Sequence, residues 1–338
     1  MSSVDGPAAT VVTQLGRSDR AFVQSPLQQG DRMTATNAAR KVSVLGLGSM
    51  GFGMAQSLLR AGFTVAGYDT RPDIITRFAA QHGIAAASPL EAVSGADIVV
   101  VVVVNAEQTK QVLLADAELL AATAPGAVII SCATMAPDHA RELAASVEAA
   151  GRHYLDAPIS GGSIRAAEGA LTMLVSGTPT ALERARPALD AMAAKLYVLG
   201  DEPGIGASFK IVNQLLAGVH IAAACEAIAL AKKLGLDIAK VYEVITGSAG
   251  NSWMFENRVP HILEGDYRPR SAVEIFTKDL GIIANISRTE RLATPIASSA
   301  LQMFLMTAAA GMAKDDDASV VRLYAQISGL DLPAMKKD

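Results

Sequence analysis

Three spaced glycines constrain the fold of this chain more than any other feature. They follow the buried-strand pattern of Lys41–Leu45 (KVSVL) and precede a helical pattern. In such a G-x-G-x-x-G arrangement the first glycine permits a tight turn, the second lets the backbone approach a pyrophosphate, and the third permits close helix packing. The free N–H groups of the helix N-terminus then face the anion. The sequence therefore predicts dinucleotide binding by Gly46, Leu47, Gly48, Ser49, Met50 and Gly51.

A second predicted strand, Phe63–Tyr68, ends at Asp69, 18 residues after Gly51. An acidic side chain at this place binds the ribose 2′-hydroxyl and repels a 2′-phosphate, which favours NAD over NADP. Arg71 is the one neighbouring feature that favours NADP. A turn or N-cap role before Arg71-Pro72 is the structural alternative for Asp69.

Alternating helical and strand patterns continue to about residue 199, which predicts a mostly parallel sheet. The β-branched run Ile98–Val104 is typical of a central strand and ends at Asn105. Another strand, Ala127–Ser131, is followed by Thr134. Because ligands bind at the carboxyl ends of such strands, Asn105 and Thr134 are predicted to lie beside the cofactor. An N-cap role for Thr134 is compatible with this.

Ser160-Gly161-Gly162 follows the predicted strand Tyr154–Leu155. A polar serine and two glycines at a strand end form a loop of open backbone N–H groups, which can hold a carboxylate. An ordinary glycine turn is the alternative.

The proline-free stretch Gly204–Gly235 predicts a long buried helix that ends after two lysines. Lys210 lies near its first turn, with Asn213 and Gln214 three and four residues further along the same face. A lysine and amides on an apolar helix need a polar partner, and a substrate is a good candidate. The alternative is that Lys210 reaches solvent from the end turn. Further helices are predicted at residues 237–246, 259–265, 271–290, 295–310 and 318–328.

Composition restricts the class of function. The 338 residues are 51% hydrophobic and carry a net charge of −4, which gives no electrostatic footprint for nucleic acid or an anionic membrane. Two distant cysteines predict a reducing compartment, and no metal site or secretory signal is expected. We expect a cytoplasmic protein with an N-terminal extension (1–40), a dinucleotide-binding domain (41–203) and a helical domain (204–338).

Four motifs together resemble the β-hydroxyacid dehydrogenases. They are GLGSMGFGMA (46–55), DAPISGG (156–162), GIGASFK (204–210) with Asn213, and KDLG (278–281), and they occur in the family's order. The resemblance covers about residues 41–330. It implies an α/β Rossmann domain with a doubly wound, mostly parallel sheet, followed by an all-α domain. It also implies an active site where the Gly204–Gly235 helix begins, and a homodimer or homotetramer.

The resemblance implies a role for each matching residue. Lys210 matches the lysine that mediates proton transfer with the reacting hydroxyl, and Ser160-Gly161-Gly162 matches the loop that holds the substrate carboxylate. Asn213 matches an amide that orients substrate, while Gln214 stands where a second asparagine is usual. Thr134 matches a residue beside the nicotinamide. Lys278 matches a lysine near cofactor and substrate, although in isolation Lys278-Asp279 favours a surface ion pair.

Residues 210–227 and 248–281 show a narrower resemblance, to the branch of the family that oxidises the four-carbon sugar acid L-threonate with NAD. Asn251, Ser252, Trp253 and Asn257 would add polar groups for extra substrate hydroxyls. For Trp253, a core anchor in an aromatic-poor protein is the alternative. The predicted reaction is oxidation of L-threonate to 2-oxo-tetronate.

Other activities stay open at this point. They are 3-hydroxyisobutyrate dehydrogenase and an NADPH-linked tartronate or succinic semialdehyde reductase, which would use Arg71. An imine reductase is disfavoured because those relatives usually replace the lysine at position 210. A non-catalytic dinucleotide-binding protein is disfavoured because Lys210 and the KDLG motif are intact.

Overall fold

The computed structural model describes residues 40–336. The predicted extension over residues 1–40 therefore lies outside the described residues, apart from Arg40. Within the described range, nine strands form one sheet in the order β3-β2-β1-β4-β5-β6-β8-β7, with β9 paired to β8. Their bounds are β1 (Lys41–Leu45), β2 (Thr64–Tyr68), β3 (Ile84–Ala85), β4 (Ile98–Val101), β5 (Val128–Ser131), β6 (His153–Asp156), β7 (Ile159–Ser160), β8 (Leu171–Ser176) and β9 (Ala193–Gly200).

The first six strands are parallel, and β8 runs antiparallel to β6 and β7. Leu45 pairs with Tyr68 on one side and Val101 on the other, so the carboxyl ends of β1, β2 and β4 are level. The chain leaves β1 to form β2 on one side and later returns to form β4 on the other. This reversal is the place where doubly wound sheets bind ligands.

Helices cover both faces of the sheet, so successive side chains of its central strands enter different cores. Val100 belongs to one buried cluster, whereas Val99 and Val101 belong to another. The unbroken β-branched run of β4 follows from burial on both faces. The covering helices are α1 (Gly51–Arg60), α2 (Pro72–Ala79), α3 (Pro89–Val93), α4 (Ala106–Leu114), α5 (Ala117–Ala122), α6 (Pro137–Ala149), α7 (Gly162–Glu168) and α8 (Pro179–Met192).

A helical bundle follows, built around one 29-residue helix, α9 (Ile205–Lys233). The others are α10 (Ile238–Thr246), α11 (Trp253–Glu264), α12 (Val273–Thr289), α13 (Pro295–Thr307) with a π-helical continuation (Ala308–Met312), a 3-10 turn (Asp317–Ser319) and α14 (Val320–Ser328). The predicted Rossmann fold followed by helices is confirmed.

Two helices, Ile205–Lys233 and Pro295–Met312, have the length and hydropathy of a membrane span. For α9 this composition has another cause, since α9 packs against α11, α12, α13 and α14 and contributes Ile221 and Ile228 to their common core.

Several elements differ from the sequence prediction. The strand β4 ends at Val101, three residues early, and α7 and α8 have no predicted counterpart. The helix α11 begins at Trp253 rather than near residue 259, with Pro260 inside it. Proline removes the backbone donor for the carbonyl of Glu256, four residues earlier. The hydroxyl of Tyr242 donates to that carbonyl at 3.2 Å, which explains why the helix tolerates the proline.

Candidate active site

The glycine loop between β1 and α1 is shaped by two different steric demands. A Cβ atom on Gly46 would lie 2.4 Å from the carbonyl oxygen of Val102, and one on Gly51 would lie 1.9 Å from that of Gly46. Gly48, in contrast, has only the Arg71 guanidinium near its Cβ position, at 3.8 Å. Gly46 and Gly51 therefore close the turn, while Gly48 leaves its backbone open, as approach by a pyrophosphate requires.

Asp69 ties the end of β2 to this loop. Its Oδ2 accepts a hydrogen bond from the backbone N–H of Leu47 at 2.9 Å, and its Oδ1 accepts one from the N–H of Arg71 at 3.0 Å. The guanidinium of Arg71 pairs with the same carboxylate at 3.0 Å. Burial opposes ionisation, but the bonds and charge of Arg71 together with the Leu47 N–H hold the pKa of Asp69 below its usual value. Asp69 therefore has the turn role before Arg71 that was the structural alternative for it.

A cleft of about 380 Å³ lies beside the glycine loop, and its lining includes Gly48, Ser49, Arg71, Arg77 and Ser163. Two cations and two serines next to open backbone N–H groups suit a phosphate-bearing ligand. The residues here fit a nicotinamide dinucleotide.

Lys210 is buried in the first turns of α9, with 6% of its surface exposed. Its Nζ donates to the carbonyl oxygen of Ile159 at 2.7 Å, so it does not reach solvent. Burial lowers the pKa of Lys210 to about 8, with Asp279 opposing the shift and Lys278 adding to it. Part of this lysine is therefore a free base near neutral pH, as a proton acceptor needs to be.

The Ile159 carbonyl places Lys210 beside the predicted carboxylate loop. Ser160 ends β7 and pairs with Thr172 of β8. Gly161 and Gly162 then take positive φ angles of 140° and 78°, and α7 begins at Gly162. A Cβ atom on Gly162 would meet nothing within 4 Å. The loop thus has an open side next to the lysine.

Lys278 and Asp279 of α12 complete the polar group around Lys210. The Nζ of Lys278 lies 2.6 Å from Oδ1 of Asp279 and donates to the carbonyl oxygen of Thr134 at 3.3 Å. Asp279 is only 1% exposed, so the interpretation of Lys278-Asp279 as a surface pair is wrong. Thr134 is brought to the site, but its contact with Lys278 is made by its main chain.

The two amides after Lys210 form a chain of hydrogen bonds that ends at Asp279. The Nε2 of Gln214 donates to Asp279 Oδ2 at 2.5 Å, and the Nδ2 of Asn213 donates to Gln214 Oε1 at 2.9 Å. Gln214 is buried, whereas Asn213 is exposed. Gln214 therefore links α9 to Asp279 of α12, and Asn213 extends this chain of hydrogen bonds to the exposed surface.

Comparison with known proteins decides the family. Residues 41–200 match the NAD binding domain of 6-phosphogluconate dehydrogenase, and residues 204–324 match the NAD-binding domain of NADP-dependent 3-hydroxyisobutyrate dehydrogenase. An L-threonate dehydrogenase of Cupriavidus necator is 50% identical over 87% of this chain and 98% of its own. The chain belongs to the β-hydroxyacid dehydrogenase family. It is an oxidoreductase that acts on CH–OH groups with a nicotinamide dinucleotide.

Other relatives agree with this placement of the dehydrogenase. A 3-hydroxyisobutyrate dehydrogenase of Pseudomonas aeruginosa is 34% identical over 84% of this chain and 98% of its own. A crystal structure of a 3-hydroxyisobutyrate dehydrogenase from Salmonella typhimurium superimposes with a TM-score of 0.80 at 45% identity, covering 84% of this chain and 99% of that one.

Sequence reasoning missed the part that Asp156 plays in this dehydrogenase. Its Oδ2 accepts hydrogen bonds from the backbone N–H groups of Gly204 and Ala207, at 3.0 and 2.7 Å, and so caps α9 from strand β6. Burial raises the pKa of Asp156 to about 6 against these bonds. The signal was the absence of a capping side chain at Gly204, since a long helix needs partners for its first N–H groups.

Two predicted site residues of the dehydrogenase, Asn105 and Trp253, have surroundings that differ from those of the group around Lys210. Asn105 caps α4, its Oδ1 accepting from the N–H of Gln108 at 2.8 Å. Trp253 is the first residue of α11 and is 51% exposed, so it is not a core anchor. Within residues 40–336, neither side chain is hydrogen-bonded to the Lys210 group. Their roles toward cofactor and substrate stay predictions.

Proposed function

We propose that this dehydrogenase oxidises L-threonate with NAD to 2-oxo-tetronate. The observation that carries the proposal is the buried Lys210, its pKa lowered to about 8, one carbonyl away from the Ser160-Gly161-Gly162 loop. Such an arrangement suits an acid whose reacting hydroxyl lies close to its carboxylate. The 50% identity to the Cupriavidus necator L-threonate dehydrogenase supports the choice of that acid.

In this mechanism, bound nicotinamide supplies the hydride acceptor. The neutral form of Lys210 accepts the hydroxyl proton of the substrate. The backbone N–H groups of Gly161 and Gly162, with Ser160, hold the carboxylate, and Asn213 orients the hydroxyl-bearing carbon. Lys278 adjoins the lysine and helps to keep its pKa low, while Asp279 limits that shift.

The substrate is tested by initial rates of NADH formation with L-threonate, D-threonate, D-erythronate, D-glycerate and 3-hydroxyisobutyrate. We expect a clear preference for L-threonate. Turnover of 3-hydroxyisobutyrate or glycerate alone would contradict the proposed substrate and leave the family assignment intact. Cofactor binding without turnover of any acid would contradict the catalytic role of the site.

NAD is proposed as the cofactor because the Asp69 carboxylate lies at the loop, where it would repel a 2′-phosphate. Its ion pair with the half-exposed Arg71 supports a residual use of NADP, since the guanidinium can turn to a phosphate. We expect Arg71→Ala to remove NADP turnover and leave NAD turnover within about threefold. Asp69→Ser is expected instead to lower the ratio of turnover with NAD to turnover with NADP. An NADP preference in the unchanged enzyme would contradict the assignment.

We also propose a cytoplasmic homodimer or homotetramer and the domain division after residue 203. Support for assembly comes from apolar side chains of α9, since Phe209, Val212 and Leu216 are each about half exposed or more. Their spacing of three and four residues places them on one stripe. Light scattering after size-exclusion chromatography measures the mass, and a monomer at micromolar concentration would contradict the assembly.

A further inference from the structure

A chain of amides connects the exposed Asn213 to a buried carboxylate. Asn213 donates to Gln214, and Gln214 donates to Asp279, which is 1% exposed. Gln214 itself is 7% exposed, and both ends of its amide are used by protein partners. The contacts cross from α9 to α12, so this chain of hydrogen bonds belongs to the tertiary fold.

Asp279 fixes the direction of both amides. A carboxylate with an ammonium group 2.6 Å away, that of Lys278, is an acceptor of hydrogen bonds only. Gln214 must therefore present its NH₂ group to Asp279 and its Oε1 to Asn213. Asn213 must in turn present its NH₂ group to Gln214. The carbonyl oxygen of Asn213 is then left on the exposed side, as an acceptor for a hydroxyl group.

The length of Gln214 is part of this arrangement. The helices α9 and α12 pack closely, because a Cβ atom on Gly218 would lie 3.0 Å from Leu280 and Phe276. An asparagine at position 214 is one methylene shorter, so its amide would lie farther from the buried Asp279 oxygen that Gln214 contacts. An unsatisfied buried acceptor is costly.

We infer that Gln214 is a positioning residue that holds the Asn213 carbonyl oxygen as the acceptor for a second substrate hydroxyl, on the carbon next to the reacting one. The inference rests on the proposed function in taking Asn213 as a substrate ligand. Lys210 holds the reacting hydroxyl, and Asn213 lies one turn further along the same face. The site therefore selects polyhydroxy acids over acids with hydrogen or methyl at that carbon, and Gln214 acts through Asn213.

Binding is measured by calorimetry with enzyme and NADH, which needs no turnover. Two pairs of acids differ at the relevant carbon, which is C3 when the reacting hydroxyl is on C2: L-threonate with 2,4-dihydroxybutyrate, and glycerate with lactate. The variants are Gln214→Met, which keeps the length without the hydrogen bonds, and Asp279→Asn, which keeps the shape without enforcing the amide direction. Gln302→Met, on the exposed side of α13, is the matched control.

We expect the unchanged enzyme and the control to bind the hydroxyl-bearing acid of a pair about 10-fold more tightly, the range of one hydrogen bond. In Gln214→Met and Asp279→Asn this ratio falls to about 1, through weaker binding of the hydroxyl-bearing acid. A ratio that persists in either variant, or equal weakening of both acids, overturns the inference. Absence of L-threonate turnover in the separate rate assay would reject the proposed function without altering this comparison of Kd ratios.

Discussion

Replacement of Lys210 by methionine is expected to lower turnover strongly. At pKa about 8, roughly a quarter of the lysine is neutral near pH 7.5, whereas at its ordinary value of 10.5 the neutral fraction would be about a thousandth. Burial thus supplies roughly 200-fold more free base. Removing a general base costs about 10²- to 10⁴-fold in rate. We expect Lys210→Met to lose kcat by that factor while cofactor affinity is retained.

The same substitution is expected to stabilise the fold. Because the pKa of Lys210 is lowered from 10.5 to about 8, the folded state releases the proton first, and stability rises with pH between those values. Below pH about 8 the charged lysine costs roughly 3 kcal/mol relative to the neutral form. Methionine removes this cost and also the hydrogen bond to Ile159, so a gain of about 1–2 kcal/mol at pH 7 is expected.

The assay combines rates of NADH formation from about pH 6 to 10 with urea unfolding at the same pH values. For the unchanged enzyme, kcat/KM should rise with pH and level off above about 8. Lys233→Met, on the exposed end of the same helix, is the matched control and should change neither rate nor stability. A Lys210→Met enzyme within threefold of full activity, or with the same rising limb, would refute the assignment of the base.

Two further predictions concern the scaffold. The pKa of Asp156 is raised to about 6, so the folded protein keeps this proton to a higher pH than the unfolded chain does. The free energy of unfolding therefore falls by about 3 kcal/mol as pH rises from about 4 to 6. Asp156→Asn keeps an acceptor for Gly204 and Ala207, and urea unfolding should show this pH dependence lost; an unchanged dependence would exclude Asp156 as its source. A Cβ atom on Gly53 would lie 2.5 Å from the backbone nitrogen of Ala167, so Gly53→Ala should separate α1 from α7 and lower stability by about 1–3 kcal/mol. Thermal unfolding tests this, and an unchanged Tm would contradict the close packing.

Local patterns were enough to predict the Rossmann part. The strand Lys41–Leu45, the glycine loop and Asp69 all lie within residues 41–69, and their physical roles are set by near neighbours in sequence. Prolines inside helices made the prediction of helix bounds from local patterns fail elsewhere. Pro260 lies inside α11 and Pro187 inside α8, and only tertiary contacts such as that of Tyr242 explain how a helix continues past a proline.

The polar group at the site was predictable only in part. Periodicity placed Lys210, Asn213 and Gln214 on one face, but it did not show which helix lies opposite. Lys278 contacts Thr134, 144 residues earlier, and Asp279 contacts Gln214, 65 residues earlier. A sequence pattern covers one or two turns, so such partners are invisible to it, and Lys278-Asp279 resembled an ordinary surface pair.

The cap that Asp156 places on α9 has a mechanical consequence. At 1.5 Å per residue, the 29 residues of α9 form a rod about 43 Å long, and Lys210 lies about 8 Å from its capped end. Tilting the rod about that end by about 10° carries its far tip through about 7 Å but displaces Lys210 by only about 1 Å. A change in the tilt of α9 about its capped end would therefore move the far end of the bundle several times further than it moves Lys210.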